Sequence, residues 1–389
     1  MGGGIDQGKS LRVLLAVTHA GFGGVAKHVI DLANLLREHG CKVDIATGSE
    51  RNELMQEYER VSDNVIKLKY LKRSISLLDD ILVFKEVEKV LKSSSYDIIH
   101  AHGPKAGFVF RLVAAKLSIP CVYTHHLIVY KQFKSLLNPL YKILEKIASS
   151  VGDHVIVVTK INKDILVSEK IVKPEKVSVV YNGLIDFSTK YTKKQAREKL
   201  NISPDDFVVV YVGRLEPPKD PLTLAKGFQD FCKRYNDGTK KYLFFVGDGP
   251  LKAKLPNDGN ITVTGFTNDV ELYLAAADVF CLTTTKEGLP ISILEAMKYS
   301  LPIVATNVDG IAEQVFQRVN GFLVKPFFWQ EISHALGEIY TNGELREKMA
   351  QESRRLSEER FDMRKNIVQI LHIYRSITEN YSISKKSLR

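Results

Sequence analysis

The stretch Thr283-Thr284-Thr285-Lys286-Glu287-Gly288-Leu289-Pro290-Ile291-Ser292-Ile293-Leu294-Glu295-Ala296-Met297 continues the β-rich run 279–283 through a glycine turn into apolar residues at helical spacing. A strand that passes through a short loop into a helix is the unit of a parallel, doubly wound sheet. Pro290 suits the first helical position, where its missing N–H costs little. The amides around residues 288–291 are then free to hold an anion at a positive helix end. Glu295 falls five residues into the helix, roughly 7–8 Å along its axis, on the side of the loop that carries Glu287. Two carboxylates flanking such an end suit a ligand with hydroxyl-rich rings on both sides of a diphosphate, the layout of a sugar nucleotide.

Working outward, the same rhythm fills the chain. After residue 204, further strand-like runs occupy 207–212, 242–246, 261–265, 303–306 and 321–324, with helical patterns between them. An earlier set lies at 13–17, 43–47, 65–68, 98–100, 121–124, 155–159 and 177–181, separated by helical patterns at 25–37, 77–91, 105–117 and 141–148. Two series of βαβ units in 389 residues predict two α/β domains with Rossmann-like sheets, separated near the polar segment 186–204. A binding cleft between two such sheets is the expectation. The tail 344–381 reads as two helices broken near Phe361-Asp362.

Three further motifs bear on chemistry. Val212-Gly213-Arg214-Leu215-Glu216-Pro217-Pro218-Lys219-Asp220 places two cations at a strand's carboxyl end, where Arg chelates phosphate and Lys adds a compact charge. Gly21-Phe22-Gly23-Gly24-Val25-Ala26 follows the first strand and opens a helix, so Gly23 and Gly24 allow close approach to a phosphate or sugar. With Asp44 in the next strand, that loop also fits a dinucleotide site. Residues 3–10 spell a Walker A motif, but a strand follows it where a P-loop needs a helix.

Taken together the motifs resemble the family-4 retaining glycosyltransferases of the two-domain B-type (GT-B) fold, whose signature is a Glu, seven residues and a second Glu, matched here by Glu287 and Glu295. The likeness extends to the glycine loop, His100-Ala101-His102-Gly103, the Arg214 loop, Gly247-Asp248-Gly249-Pro250 and Thr264-Gly265-Phe266, across residues 11–375. It implies an acceptor domain over 1–190 with 1–9 disordered, a donor domain over 191–360, and a C-terminal helix, 361–389, packing back on the first domain. It further implies that Glu287 meets the donor sugar, Glu295 the ribose, and Arg214 with Lys219 the diphosphate, with Gly288, Leu289 and Pro290 at the helix end. The family's Thr-x-His-Gly element corresponds to Tyr123-Thr124-His125-His126-Leu127, with His126 in place and Leu127 instead of glycine. Consecutive strand residues face opposite ways, and which of His125 and His126 faces the donor stays open. The implied reaction is a metal-independent, cofactor-free, retaining transfer of a hexose or N-acetylhexosamine from a UDP-linked sugar to a lipid-linked or polysaccharide acceptor.

Composition narrows the setting. Basic residues number 31 against 21 acidic ones in 1–200, and 24 of each in 201–389, so the net charge of +10 belongs to the first half. Residues 101–150 hold seven basic side chains and the single acid Glu145. There Phe133, Leu136, Leu137, Leu140, Tyr141, Leu144, Ile147 and Ala148 recur at helical spacing, flanked by Lys131, Lys134, Lys142 and Lys146. Such a stripe fits either an anionic membrane or a domain core. Acceptor contacts are expected at His102, Lys105, His125, Lys131 and Lys134. Four scattered cysteines without metal-ligand spacing and no span-length apolar run predict a cytoplasmic protein, peripheral on the membrane. An NAD(P)-dependent oxidoreductase, a sugar-nucleotide epimerase and a noncatalytic binding protein are the rivals; nucleic acid is not an expected partner, because the second half is neutral and carries no recognised motif.

Overall fold

The computed structural model describes residues 10–74, 76–132 and 136–387. The Walker-like spelling, the expected disorder of 1–9, and the candidates Phe133 and Lys134 therefore lie outside the described residues. The chain forms two compact units. One closes at Asn182 and takes the chain back from Arg364 onward, and the other is Gly183–Met363.

The first unit holds β1 (Arg12–Val17), α1 (Gly24–Glu38), β2 (Lys42–Gly48), α2 (Met55–Val61), β3 (Asn64–Leu68), α3 (Leu77–Lys92), β4 (Ile98–His102) and α4 (Pro104–Leu117). It continues through β5 (Cys121–His125), α5 (Val129–Gln132), α6 (Asn138–Val151), β6 (His154–Val157), α7 (Lys160–Ser168) and β7 (Val177–Val179). All strands pair in parallel, in the order β3-β2-β1-β4-β5-β6-β7. One sheet face buries Leu14, Ile99 and Tyr123 against Val83 and Val87 of α3 and Val109 and Phe110 of α4. Each large side chain so removed from water contributes about 1.5–3 kcal/mol.

The second unit comprises α8 (Lys193–Leu200), β8 (Phe207–Val212), α9 (Pro221–Arg234), β9 (Lys241–Val246), β10 (Ile261–Gly265), α10 (Val270–Ala276) and β11 (Val279–Leu282). Then come α11 (Ile291–Lys298), β12 (Ile303–Thr306), β13 (Gly321–Val324), α12 (Trp329–Thr341) and α13 (Gly343–Arg360). Its parallel sheet runs β10-β9-β8-β11-β12-β13. Both sheets reverse their winding beside the first strand, between β1 and β4 and between β8 and β11. Ligands of doubly wound sheets bind outside the strands' carboxyl ends at such a reversal.

The last helix, α14 (Met363–Ser387), belongs from Arg364 onward to the first unit, where Tyr374 shares a 2.6 Å hydrogen bond with His100. The boundary falls at 182/183, ahead of the expected 190/191. A Cβ at Gly183 would meet the Phe361 carbonyl at 2.5 Å, and Leu184 bridges to Asp362, so this stretch is packed backbone. The polar residues that read as a linker build α8 instead, capped by a reciprocal Thr192–Gln195 box.

Candidate active site

In the second unit the candidates gather beyond β8 and β11. Lys219 and Glu287 form an ion pair, with their side chains 24% and 14% exposed. Three consecutive threonines hold the two loops together. The Thr283 hydroxyl donates to the Asp220 carbonyl (2.8 Å), and the Thr284 and Thr285 hydroxyls both donate to that of Pro218 (2.9 and 3.1 Å). Thr285 N–H also donates to Pro218 at 2.7 Å. Asp309 accepts the Glu287 N–H at 2.9 Å, Gln314 donates to the Pro290 carbonyl at 3.1 Å, and Thr306 donates to the Thr284 carbonyl.

Arg214 stands on the same side of the sheet, after β8, more than half exposed and 3.1 Å from Glu216. Its loop lies backbone to backbone on the next one, with Leu215 N–H donating to Asp248 and Gly213 N–H to Val246. Gly247 has φ +151°, and a Cβ there would sit 2.0 Å from the Gly213 carbonyl, so only glycine allows this contact. Pro290 precedes α11 as its N-cap, one position earlier than expected, and no side chain caps the helix. Gly288, Leu289 and Pro290 are buried at that end, and Glu295 is half-buried within α11.

In the first unit Gly23 caps α1 and Gly24 begins it, just beyond β1. His28, His102 and His126 converge on that side of the sheet: the His28 ring lies 5.4 Å from that of His102 and 4.9 Å from that of His126. His102 Nδ1 is 3.2 Å from His126 Nε2. Burial holds all three imidazoles below their usual range, His28 at about 4.

Several expected acceptor contacts are corrected by the structure. His125 is 2% exposed, packed on Tyr123 and 3.9 Å from Glu145. Strand alternation turns it to the opposite face from His126, into the layer where Arg111 and Glu145 pair. His102 is fully buried. Lys105 is tied to Asp80 and to the Ser74 carbonyl, both at 2.5 Å, and Lys131 is paired with Glu169 at 2.6 Å. The dinucleotide reading also fails, because Asp44 sits early in β2 and is engaged by Arg12 (3.0 Å) and the Tyr96 hydroxyl (2.9 Å). Thr283–Thr285, Asp309, Gln314 and His28 were missed by sequence reading. Their only signal was position, in the connections that follow strands or, for His28, in the first turns of the following helix.

Residues 192–356 match the family model described as "Glycosyl transferases group 1", and residues 22–185 match "Glycosyltransferase Family 4". An Escherichia coli relative, "UDP-Gal:alpha-D-GlcNAc-diphosphoundecaprenol alpha-1,3-galactosyltransferase", is 34% identical over 266 residues, covering 65% of this chain and 68% of that protein. The chain belongs to the group 1 glycosyl transferases. As a member of that family it is a glycosyltransferase with two Rossmann-like domains of the GT-B type. The fold is shared with Anabaena HepE, solved in complex with UDP (TM-score 0.77, 21% identity, 94% of this chain and 100% of that one). It is also shared with sucrose-phosphate synthase from Thermosynechococcus elongatus (TM-score 0.79, 19% identity, 95% and 100%). The group 1 match spans Arg214, Lys219, Glu287 and Glu295, and the family-4 match spans the glycine loop and the histidines.

Proposed function

We propose that this glycosyltransferase moves a hexose or N-acetylhexosamine from a UDP-linked sugar to a lipid-linked or polysaccharide acceptor, with retention at the anomeric carbon and without a metal ion. The supporting observation is the Lys219–Glu287 pair, pinned by the threonine loop next to the uncapped start of α11 and on the same sheet edge as Arg214. As the bond from the anomeric carbon to the diphosphate breaks, negative charge grows on the departing oxygen. Lys219, Arg214 and the α11 end stabilise it there. Glu287 orients the sugar hydroxyls, and Glu295 holds the ribose. The acceptor hydroxyl attacks the face being vacated and passes its proton to the leaving phosphate oxygen. The relative's UDP-galactose donor and polyprenol-linked acceptor support this choice of substrates.

The acceptor setting is a membrane's cytoplasmic face. Leu136 is 99% exposed, and Leu137, Leu140, Ile143 and Ile147 are about half exposed along α6 and its entrance. Lys146 is exposed beside them, whereas Lys131 and Lys142 share Glu169 and contribute less charge than the sequence implies. No helix among the described residues is long and apolar enough to cross a bilayer.

Thermal shift against UDP, GDP and ADP tests the donor site, because saturation at a hundred times Kd stabilises by about 2.7 kcal/mol. UDP alone should shift the transition, and no response to any of the three would sink the reading. Product anomer analysis by NMR then tests retention. For the membrane, Ile143→Glu should weaken salt-sensitive binding to anionic vesicles; equal binding to neutral vesicles at every salt concentration counts against it.

A further inference from the structure

We propose that His28, His102 and His126 form a binding site for a transition-metal ion of the Zn²⁺ class, distinct in chemistry and domain from the diphosphate site. One ring nitrogen from each residue lies within 4.8 Å of the other two. Two nitrogens bound to one tetrahedral zinc at about 2.05 Å stand roughly 3.3 Å apart, and His102 Nδ1 and His126 Nε2 are already separated by 3.2 Å. A ring swing of roughly 1–1.5 Å at the third histidine completes the set at that spacing.

One buried ring nitrogen of the trio that is not engaged in the His102–His126 contact, His28 Nε2, lacks a hydrogen-bond partner among the described residues. An unsatisfied buried polar atom costs about 1–3 kcal/mol, and ligation would relieve it. Their neighbour His100 is not available, since Tyr374 and Thr124 occupy both its nitrogens at 2.6 Å. Neutral imidazoles suit zinc, cobalt and nickel rather than Mg²⁺, which prefers oxygen ligands. Three protein ligands leave a fourth position for water or a substrate hydroxyl. The ligands come from α1, from the end of β4 and from just past β5, so no sequence spacing announces them.

The test uses the tag-free full chain and Co²⁺ as a visible probe. One equivalent should give the absorption of a tetrahedral site, displaced by Zn²⁺. His28→Gln and His126→Gln should each weaken binding ~10-fold or more, while the exposed His334→Gln leaves it unchanged. His126 is half-buried, so its variant keeps the test open if the His28 variant fails to fold. No tetrahedral spectrum, or equal Co²⁺ affinity in a folded His126→Gln protein, overturns the proposal.

Discussion

Lys219 and Glu287, 68 residues apart in the chain, are each other's ion-pair partners. The cation expected at the diphosphate and the carboxylate expected at the sugar thus act as one unit. Removing either should lower kcat by about 10²-fold or more, near 2.7 kcal/mol. The double variant Lys219→Ala/Glu287→Ala should lose far less than the product of the two effects. Steady-state kinetics on all four proteins is the measurement, and strict multiplicativity would show that the two residues act separately.

Glu295 is half-buried within α11 and is not a member of the Lys219–Glu287 ion pair. Glu295→Ala should therefore raise KM for the donor about tenfold, the loss of one or two hydrogen bonds, with kcat nearly constant. A fall in kcat at unchanged KM would move Glu295 to the reacting centre.

Asp309 acts through the Glu287 backbone, whose N–H it accepts at 2.9 Å. Asp309→Ala should reduce kcat, whereas Asp309→Asn, which keeps an accepting oxygen, should recover most of it. Equal loss in both variants would argue that the charge, rather than the hydrogen bond, is what matters.

Arg111 is fully buried and makes two bonds to Glu145, at 2.8 and 3.0 Å. Burial pushes the Glu145 carboxyl up, but the guanidinium outweighs it and holds the group below its usual range. Arg111→Ala should cost about 3–5 kcal/mol in urea unfolding, because it strands the carboxylate. Arg111→Met/Glu145→Leu should regain much of that stability.

Burial, with Lys163 and Lys176 nearby, pushes His154 down to about 4. Below pH 6.5 the unfolded chain takes up this proton more readily than the folded one. Its contribution is therefore complete above pH 6.5 and declines as pH falls toward 4, by at most about 3 kcal/mol. His154→Gln should flatten the stability profile over that interval; an unchanged slope would assign the acid sensitivity to other groups.

Apolar runs and glycine turns made both sheets legible, because strand burial leaves a run of β-branched and aromatic residues. The boundary was not, since composition separates polar from apolar and not linker from helix: α8 carries its evidence in the Thr192–Gln195 cap. At the site, Arg214, Lys219, Glu287 and Glu295 were readable one by one from their places beyond strand ends. Their pairing, and the props Thr284, Asp309 and Gln314, depend on loops brought together only by the sheet order. His125 and His126 could not be told apart, because the side a residue faces just past a strand end is set by tertiary packing.

Tyr374 completes a buried hydrogen bond to His100, 274 residues earlier. Order of synthesis and order of completion therefore differ. At ~5–20 residues per second the ribosome needs on the order of 10–40 s to travel from residue 182 to residue 374. Throughout that interval the nascent first domain carries an uncovered face beside His100, while the second domain can finish. A paused or shortened message would release a chain whose earliest-made half is the unfinished one, and chaperones that shield exposed apolar surface would meet it there first.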